Sequence, residues 1–528
     1  MLLHDLILNS ARTHGSSPAL LRGDDVLEYA ALAEELHKAA RGLVALGLRP
    51  DERVGIYLNK RMEGVTAFFA TNLAGGVFVP INPVLKPAQV QHILNDCNVA
   101  ALITSTAQAA ALREVLGDCP FLRHIITVDG GAPDAQMPEH VESLMWSELR
   151  ELTNTGNTFG RRIDNDMAAI LYTSGSTGKP KGVVLSHRNM VVGAISVAGY
   201  IGNNADDIIL SALPLSFDAG FSQLTTGFSV GASIVLLDYL LPRDVANTAG
   251  RFNVTGLTGV PPLWNQLVKV DWPEEAVAGM RYIANTGGAM PTTTLDKLRQ
   301  QLPATTVYLM YGLTEAFRST YLPPEEIDNR PTSIGKAIPN AEIKVVREDG
   351  SICGPGEPGE LVHRGALVSM GYWNDPERTK QRFRPVPDQA NELPFEEMAV
   401  WSGDTVVKDE EGFLFFVGRK DDMIKSSGYR ISPTELEEVI HGTGLVTECA
   451  ALGVPHHELG QAVVIAAHSQ SPDDHTYDAI ITECKKVLPN FMVPATIVWQ
   501  ESLPRNPNGK IDRKRLADEL QDLFQGNG

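Results

Sequence analysis

The segment Thr173-Ser174-Gly175-Ser176-Thr177-Gly178-Lys179-Pro180-Lys181-Gly182 gathers three glycines, four hydroxyl side chains and two lysines within ten residues. It follows the apolar run Met167–Leu171, so it stands where a strand should end. Small residues let a backbone approach a polyphosphate closely, and exposed N–H and O–H groups then donate to its oxygens. Lys179 and Lys181 supply positive charge. A Walker loop has Gly five residues before its Gly-Lys pair and Ser or Thr after it. Here those places hold Thr173 and Pro180. A flexible Gly/Ser linker would need neither two lysines nor a proline.

Four further segments follow in order. Tyr311-Gly312-Leu313-Thr314-Glu315 ends in a hard oxygen donor, the type Mg²⁺ takes alongside phosphate oxygens. In Trp401-Ser402-Gly403-Asp404 the carboxylate can accept two hydroxyl hydrogen bonds, as a ribose diol offers, or can serve a turn. Gly418–Ile431 is a charged loop before a helix. Asn506-Pro507-Asn508-Gly509-Lys510-Ile511-Asp512 sets a lysine at the tip of a turn.

These five segments, in this order, resemble the signatures of the adenylate-forming superfamily. That superfamily includes acyl-CoA synthetases, the adenylation domains of peptide synthetases and luciferase-like enzymes. The resemblance runs from about residue 10 to residue 520. It implies ATP and Mg²⁺ as cofactors, an acyl-adenylate intermediate, release of pyrophosphate and transfer of the acyl group to a thiol. It implies nucleotide contacts at Thr173, Ser174, Gly175, Ser176, Thr177, Gly178, Lys179, Gly287, Gly288 and Gly312. Tyr311 would stack on adenine, Thr314 touch the α-phosphate and Glu315 help hold the metal. Asp404 and Arg419 resemble ribose contacts. Arg430 resembles an arginine that meets phosphate in one of two domain orientations. Lys510 resembles the lysine of the adenylation step, and Lys425 one used in thiol transfer. Asp421 resembles the hinge, and Gly428 lies where the family's backbone borders the pantetheine arm.

The acid is approached through Pro214-Leu215-Ser216-Phe217-Asp218-Ala219-Gly220-Phe221, which resembles the corresponding segment of amino-acid adenylation domains. There the aspartate binds the substrate's ammonium group. A carboxylate in an apolar pocket is costly without a cation, so Asp218 favours an amino acid, although a cap or turn role is the alternative. The same resemblance lines the pocket with Asp218, Ala219, Ser222, Ala284, Thr286, Met310, Arg318 and Ser319. Arg318 either points inward, to pair with a second carboxylate of an acidic substrate, or braces the loop from outside.

The elements that must hold these residues alternate. Strand-like runs at Val54–Leu58, Ala101–Thr104, His124–Val128, Ile208–Leu213, Ile234–Asp238 and Val307–Tyr311 are separated by helical stretches such as Met62–Leu73 and Pro87–Asn95. This is an α/β pattern with largely parallel sheets. From Ile334 glycine and proline become dense, which predicts a small β-rich unit closing the large domain. The expected division is an N-terminal domain, residues 1–420, of two α/β subdomains and this β-rich unit. A mobile α+β domain, residues 421–528, follows.

Composition narrows the class further. The chain has 528 residues, 43% hydrophobic and 21% charged, the profile of a soluble globular protein. A net charge of -19 argues against broad nucleic-acid binding. The five cysteines, with no CxxC, suggest buried thiols and a cytoplasmic setting. No membrane span or signal peptide is expected; Leu2, Leu3, Leu6, Ile7 and Leu8 suggest an amphipathic helix. The chain ends soon after Lys510, so the expected partner is a free-standing acyl carrier protein bearing phosphopantetheine. Coenzyme A, with a short acid as substrate, is the alternative. A non-catalytic nucleotide-binding homologue would be expected to lack Lys510, Glu315 or the Gly175–Gly178 core, all of which are present.

Overall fold

The computed structural model describes residues 1–131, 137–153, 159–173, 180–389, 392, 394–419, 422–426, 429–456, 459–470, 472–488, 492–506 and 509–524, with backbone alone at Lys425, Tyr429 and Arg430. A seven-stranded sheet runs in the order Glu142–Met145, His124–Thr127, Val99–Thr104, Arg53–Tyr57, Val77–Ile81, Met167–Thr173, Lys181–Ser186. Its pairs are parallel except the last. Strands such as Val99–Thr104 are buried along their whole length, as a sheet covered by helices on both faces requires.

A second sheet of 14 strands holds a parallel centre: Thr306–Tyr311, Tyr282–Asn285, Gly256–Gly259, Ile208–Ser211 and Ser233–Leu236. The expected β-rich unit is present and continues this sheet. Thr320–Leu322 and Ser333–Ala337 carry the same sheet onward, antiparallel, into Leu414–Arg419, Met398–Lys408, Pro358–Gly365 and Ala341–Val346. Tight glycine and proline turns permit antiparallel return, and nothing in such turns forces a break from the neighbouring strand.

An aromatic cluster joins the two sheets. Phe78 of the first stacks on Phe221, in the helix Asp218–Val230 beside the second, with ring centroids 4.9 Å apart. Phe68 meets Phe221 edge-on at 5.3 Å. Each such ring contributes about 1.5–3 kcal/mol by leaving water. The expected N-terminal amphipathic helix is Asp5–Thr13, with Leu6 and Ile7 buried and Leu3 buried just ahead of it.

The C-terminal part forms its own five-stranded sheet. Glu448–His456 and Gly460–His468 pair antiparallel, and Thr496–Trp499 adds in parallel. Helices Pro433–Gly442 and Asp474–Val487 cover it, started by Ser432 and Asp473, whose side chains accept from Glu435 N and Thr476 N. The chain crosses into it between Arg419 and Ile424, and the expected boundary at Lys420 and Asp421 lies outside the described residues. All five cysteines are buried and free. Among the described residues, no helix is long and apolar enough to cross a membrane.

Candidate active site

Met167–Thr173 and Lys181–Ser186 form a hairpin in which Thr173 stands opposite Lys181. The expected phosphate-loop residues Ser174, Gly175, Ser176, Thr177, Gly178 and Lys179 fall between these strands in sequence and lie outside the described residues. Lys181 is placed by the strand. Its Nζ donates to Glu315 Oε1 at 2.8 Å and to the Tyr372 hydroxyl at 2.8 Å. The Tyr372 hydroxyl donates to Glu315 Oε1 at 2.5 Å. Burial alone would raise the Glu315 pKa, but the Lys181 ammonium and these two hydrogen bonds outweigh it and hold the carboxyl at about 2. Burial lowers Lys181, against the pull of Glu315. Glu315 is thus ionised at neutral pH, facing the Lys181 ammonium that holds its pKa down.

Glu315 reaches this point because the strand Thr306–Tyr311 ends in a single 3₁₀ turn, Thr314–Ala316. The next residue, Phe317, has φ of 56°, a conformation uncommon for a bulky side chain. Its ring is wholly buried, which holds the kink in place. Thr314 lies in the same turn and Gly312 just before it.

A second cluster surrounds Asp404, which is buried. The Tyr311 hydroxyl donates to its Oδ2 at 2.5 Å, and Arg419 Nε lies 3.0 Å from its Oδ1. Burial and the Asp404 charge both push the Tyr311 phenol well up, so it stays a donor. Gly403 lies within the strand Met398–Lys408 with φ of 71°, a conformation that calls for glycine.

Gly287 and Gly288 follow the strand Tyr282–Asn285, and Asn285 Nδ2 donates to Gly288 O at 2.8 Å. Lys510 arrives here from the C-terminal domain. Its Cε stands 4.0 Å from where a Cβ on Gly287 would be. Its residue is open to solvent, but the protein crowds it on the cleft side. That crowding and the Arg419 charge lower its pKa, while Asp218 and Asp404 oppose them. Lys510 therefore feels the carboxylates of both neighbouring clusters.

Asp218 opens the helix Asp218–Val230, with Oδ1 accepting from Ala219 N at 2.8 Å. The first turn presses on the preceding loop, because a Cβ on Gly220 would fall 2.0 Å from Pro214 O. Arg318 points inward. Only 3% exposed, it sets Nη1 3.9 Å from Asp218 Oδ2. A small cavity of about 10 Å³, room for one water, lies beside it. Ala219, Ser222, Met310 and Arg318 of the expected pocket line it. Ala284, Thr286 and Ser319 are buried but not on its wall. Ser319 is instead bonded to His363 Nδ1 at 2.9 Å.

Gln223 and Thr226 are among the lining residues that escaped the sequence reading. With Ala219 and Ser222 they stand at i, i+3, i+4 and i+7 of one helix, a spacing that marks a shared face. One partner of Glu315 escaped too; Tyr372 lies outside every motif. Asp421 and Gly428 are outside the described residues, as are the side chains of Lys425 and Arg430.

Comparison with known proteins adds to this geometry. The sequence pattern of the AMP-binding enzyme family matches residues 7–373, and that of the AMP-binding enzyme C-terminal domain matches residues 435–510. The chain is 29% identical to the long-chain-fatty-acid–CoA ligase of Salmonella typhimurium, over 98% of this chain and 94% of that one. It is also 29% identical to gramicidin S synthase 2 of Brevibacillus brevis, over 93% of this chain and 10% of that one. Among solved structures, it is similar to the o-succinylbenzoate coenzyme A synthetase of Bacillus subtilis in complex with ATP and magnesium ion. That likeness has a TM-score of 0.82 and 26% identity, covering 97% of this chain and 98% of that one.

Proposed function

Taking as premise that the chain belongs to the AMP-binding enzyme family, we propose that it activates a small carboxylic acid bearing an amino group with ATP, then passes the acyl group to a thiol. The observation that carries this reading is Lys510. Its Cε stands 4.0 Å from the place of a Cβ on Gly287, and the charges of both Asp218 and Asp404 act on its ammonium. A cation there is shared by the carboxylate assigned to the acid and the one assigned to the ribose.

In the first half-reaction a carboxylate oxygen attacks the α-phosphorus. The new O–P bond forms as the bond to pyrophosphate breaks, and two anions must meet. Lys510 offsets that repulsion, so its contribution is electrostatic and no side-chain nucleophile is required. Thr314, Tyr311, Gly312, Asp404 and Arg419 hold the nucleotide, with the loop Thr173–Lys179 on its phosphates. Glu315 directs Oε1 to Lys181 and Tyr372 and presents a single carboxylate to a metal. That donor set suits Mg²⁺, which prefers one or two carboxylates with phosphate oxygens and water. When bound, the ion neutralises charge on the leaving pyrophosphate.

In the second half-reaction the thiol sulfur attacks the acyl carbonyl, AMP leaves and the thiol proton goes to solvent. We assign Lys425, Gly428 and Arg430 to this half, with Asp421 as the pivot between halves. The thiol is a pantetheine, carried by an acyl carrier protein or by coenzyme A. Asp218 supports the first and the fatty-acid ligase relative the second. Comparing transfer to the two acceptors decides between them.

Lys510→Ala should lower ATP–pyrophosphate exchange by about 100-fold or more, the scale of losing one preorganised charge. The same variant should transfer a synthetic acyl-adenylate to pantetheine within a few-fold of the parent rate. Unimpaired exchange in the variant would rule the assignment out.

A further inference from the structure

Asp218 and Arg318 form an ion pair at the edge of contact. Their 3.9 Å separation carries no hydrogen bond among the described residues, although Arg318 is almost wholly buried. Arg318 Nε has no partner there. Two more buried polar atoms on the same cavity wall are unpartnered, Gln223 Oε1 and Thr226 Oγ1. Gln223 Nε2 is fixed by Leu210 O at 2.9 Å, so its acceptor oxygen is the free end. Buried donors and acceptors without partners are rare and costly, and three around one small cavity mark a place for a polar group.

Building on the proposed reaction, we infer that the acid is a short amino dicarboxylate of aspartate size, its second carboxylate received by Arg318. The argument is one of charge. A ligand with an ammonium group alone would make Asp218 serve two cations and leave Arg318 uncompensated in a buried site. A ligand with an ammonium group and a second carboxylate gives each buried charge its own counterion. Arg318 Nε–H and the Thr226 hydroxyl are the donors for the two carboxylate oxygens. The cavity holds about 10 Å³, room for one water, so a second carboxylate can reach only its mouth on a short arm; its wall mixes Arg318, Gln223 and Thr226 with Val197, Ile201 and Ile209.

The test is ATP–pyrophosphate exchange of the whole protein with aspartate, glutamate, asparagine, alanine, β-alanine and succinate. Aspartate should exceed alanine in kcat/KM by about 100-fold or more, the discrimination expected when a buried polar site loses its ligand group. Arg318→Met should erase that preference mainly through KM, and Arg318→Lys should restore part of it. Thermal protection by ATP should persist in both variants, which reports an intact nucleotide site. Preference for alanine, β-alanine or asparagine would overturn the dicarboxylate inference while leaving amino-acid activation standing. Exchange with succinate and with no amino compound would overturn both.

Discussion

In the role proposed for it, Glu315 has two demands on one carboxylate: it must stay ionised in a largely buried place and remain available to a metal. Lys181 and Tyr372 meet the first by converging on Oε1. Removing Lys181 therefore does more than delete a charge. Lys181→Met leaves a buried carboxylate without its counterion, a change that costs about 3–5 kcal/mol. Lys181→Met/Glu315→Gln should recover a large part, because no uncompensated charge remains, and urea unfolding of Lys181→Met, Glu315→Gln and the double variant measures the coupling. The pH dependence has a definite sign. Glu315 sits at about 2, below its ordinary 4.5, so its ionised form stabilises the fold above pH 4.5 and this is lost as pH falls towards 2. In Lys181→Met burial should carry the carboxyl above its ordinary 4.5, so the sign reverses and the variant should gain stability as pH falls through that raised pKa. The motif around Tyr311–Glu315 made Glu315 readable from the sequence, because chemistry demands an oxygen ligand beside phosphate. Its partner Tyr372 was not readable, because a contact across 57 residues leaves no local pattern.

Elements were readable where their periodicity is set by burial alone. Met62–Leu73 was placed to the residue, and most strands to within two. The kink at Phe317 was hidden, since nothing in Thr314-Glu315-Ala316-Phe317-Arg318 calls for positive φ; the burial of the ring imposes it. That kink decides the Arg318 question by turning the side chain inward. The docking of the first helix is also tertiary in origin. Leu3 N donates to His187 Nδ1 at 3.1 Å, and the His4 and His187 rings meet edge-on at 6.2 Å. Burial lowers His4 to about 4 and His187 to about 3. Both are neutral in the fold but take up protons near 6.5 once unfolded. Stability should be full above pH 6.5 and decline as pH falls towards 4, by up to about 1.4 kcal/mol per pH unit for each histidine. Unfolding midpoints at pH 7 and pH 5 measure this, and His4→Gln/His187→Gln should flatten the slope. An equal slope in the double variant would assign the acid sensitivity elsewhere.

The molecule as a whole brings Lys510 to a cleft built by another domain, and this closed arrangement is what perturbs the lysine. Crowding by the N-terminal domain and the Arg419 charge depress its pKa, with Asp218 and Asp404 opposing. None of those groups is near Lys510 in sequence, so a turn lysine gave no hint of its electrostatics beyond the family resemblance. Lys510 neutralises charge only while protonated. As pH rises through a depressed pKa, ATP–pyrophosphate exchange should lose rate at a lower pH than an ordinary lysine, near 10.5, would allow. The limb belongs in kcat/KM, which reports the free enzyme; bound phosphate and carboxylate would stabilise the ammonium in kcat. In the reaction proposed, transfer from a preformed acyl-adenylate makes no demand on Lys510. Its profile should lack this alkaline limb, although thiol ionisation will raise it with pH. Lys510→Arg offers the control, because guanidinium keeps its proton throughout the range, so residual exchange should show no fall. If both half-reactions lose rate together in the parent protein, and the arginine variant loses it too, a group other than Lys510 limits them and the single-cleft, two-state arrangement is wrong.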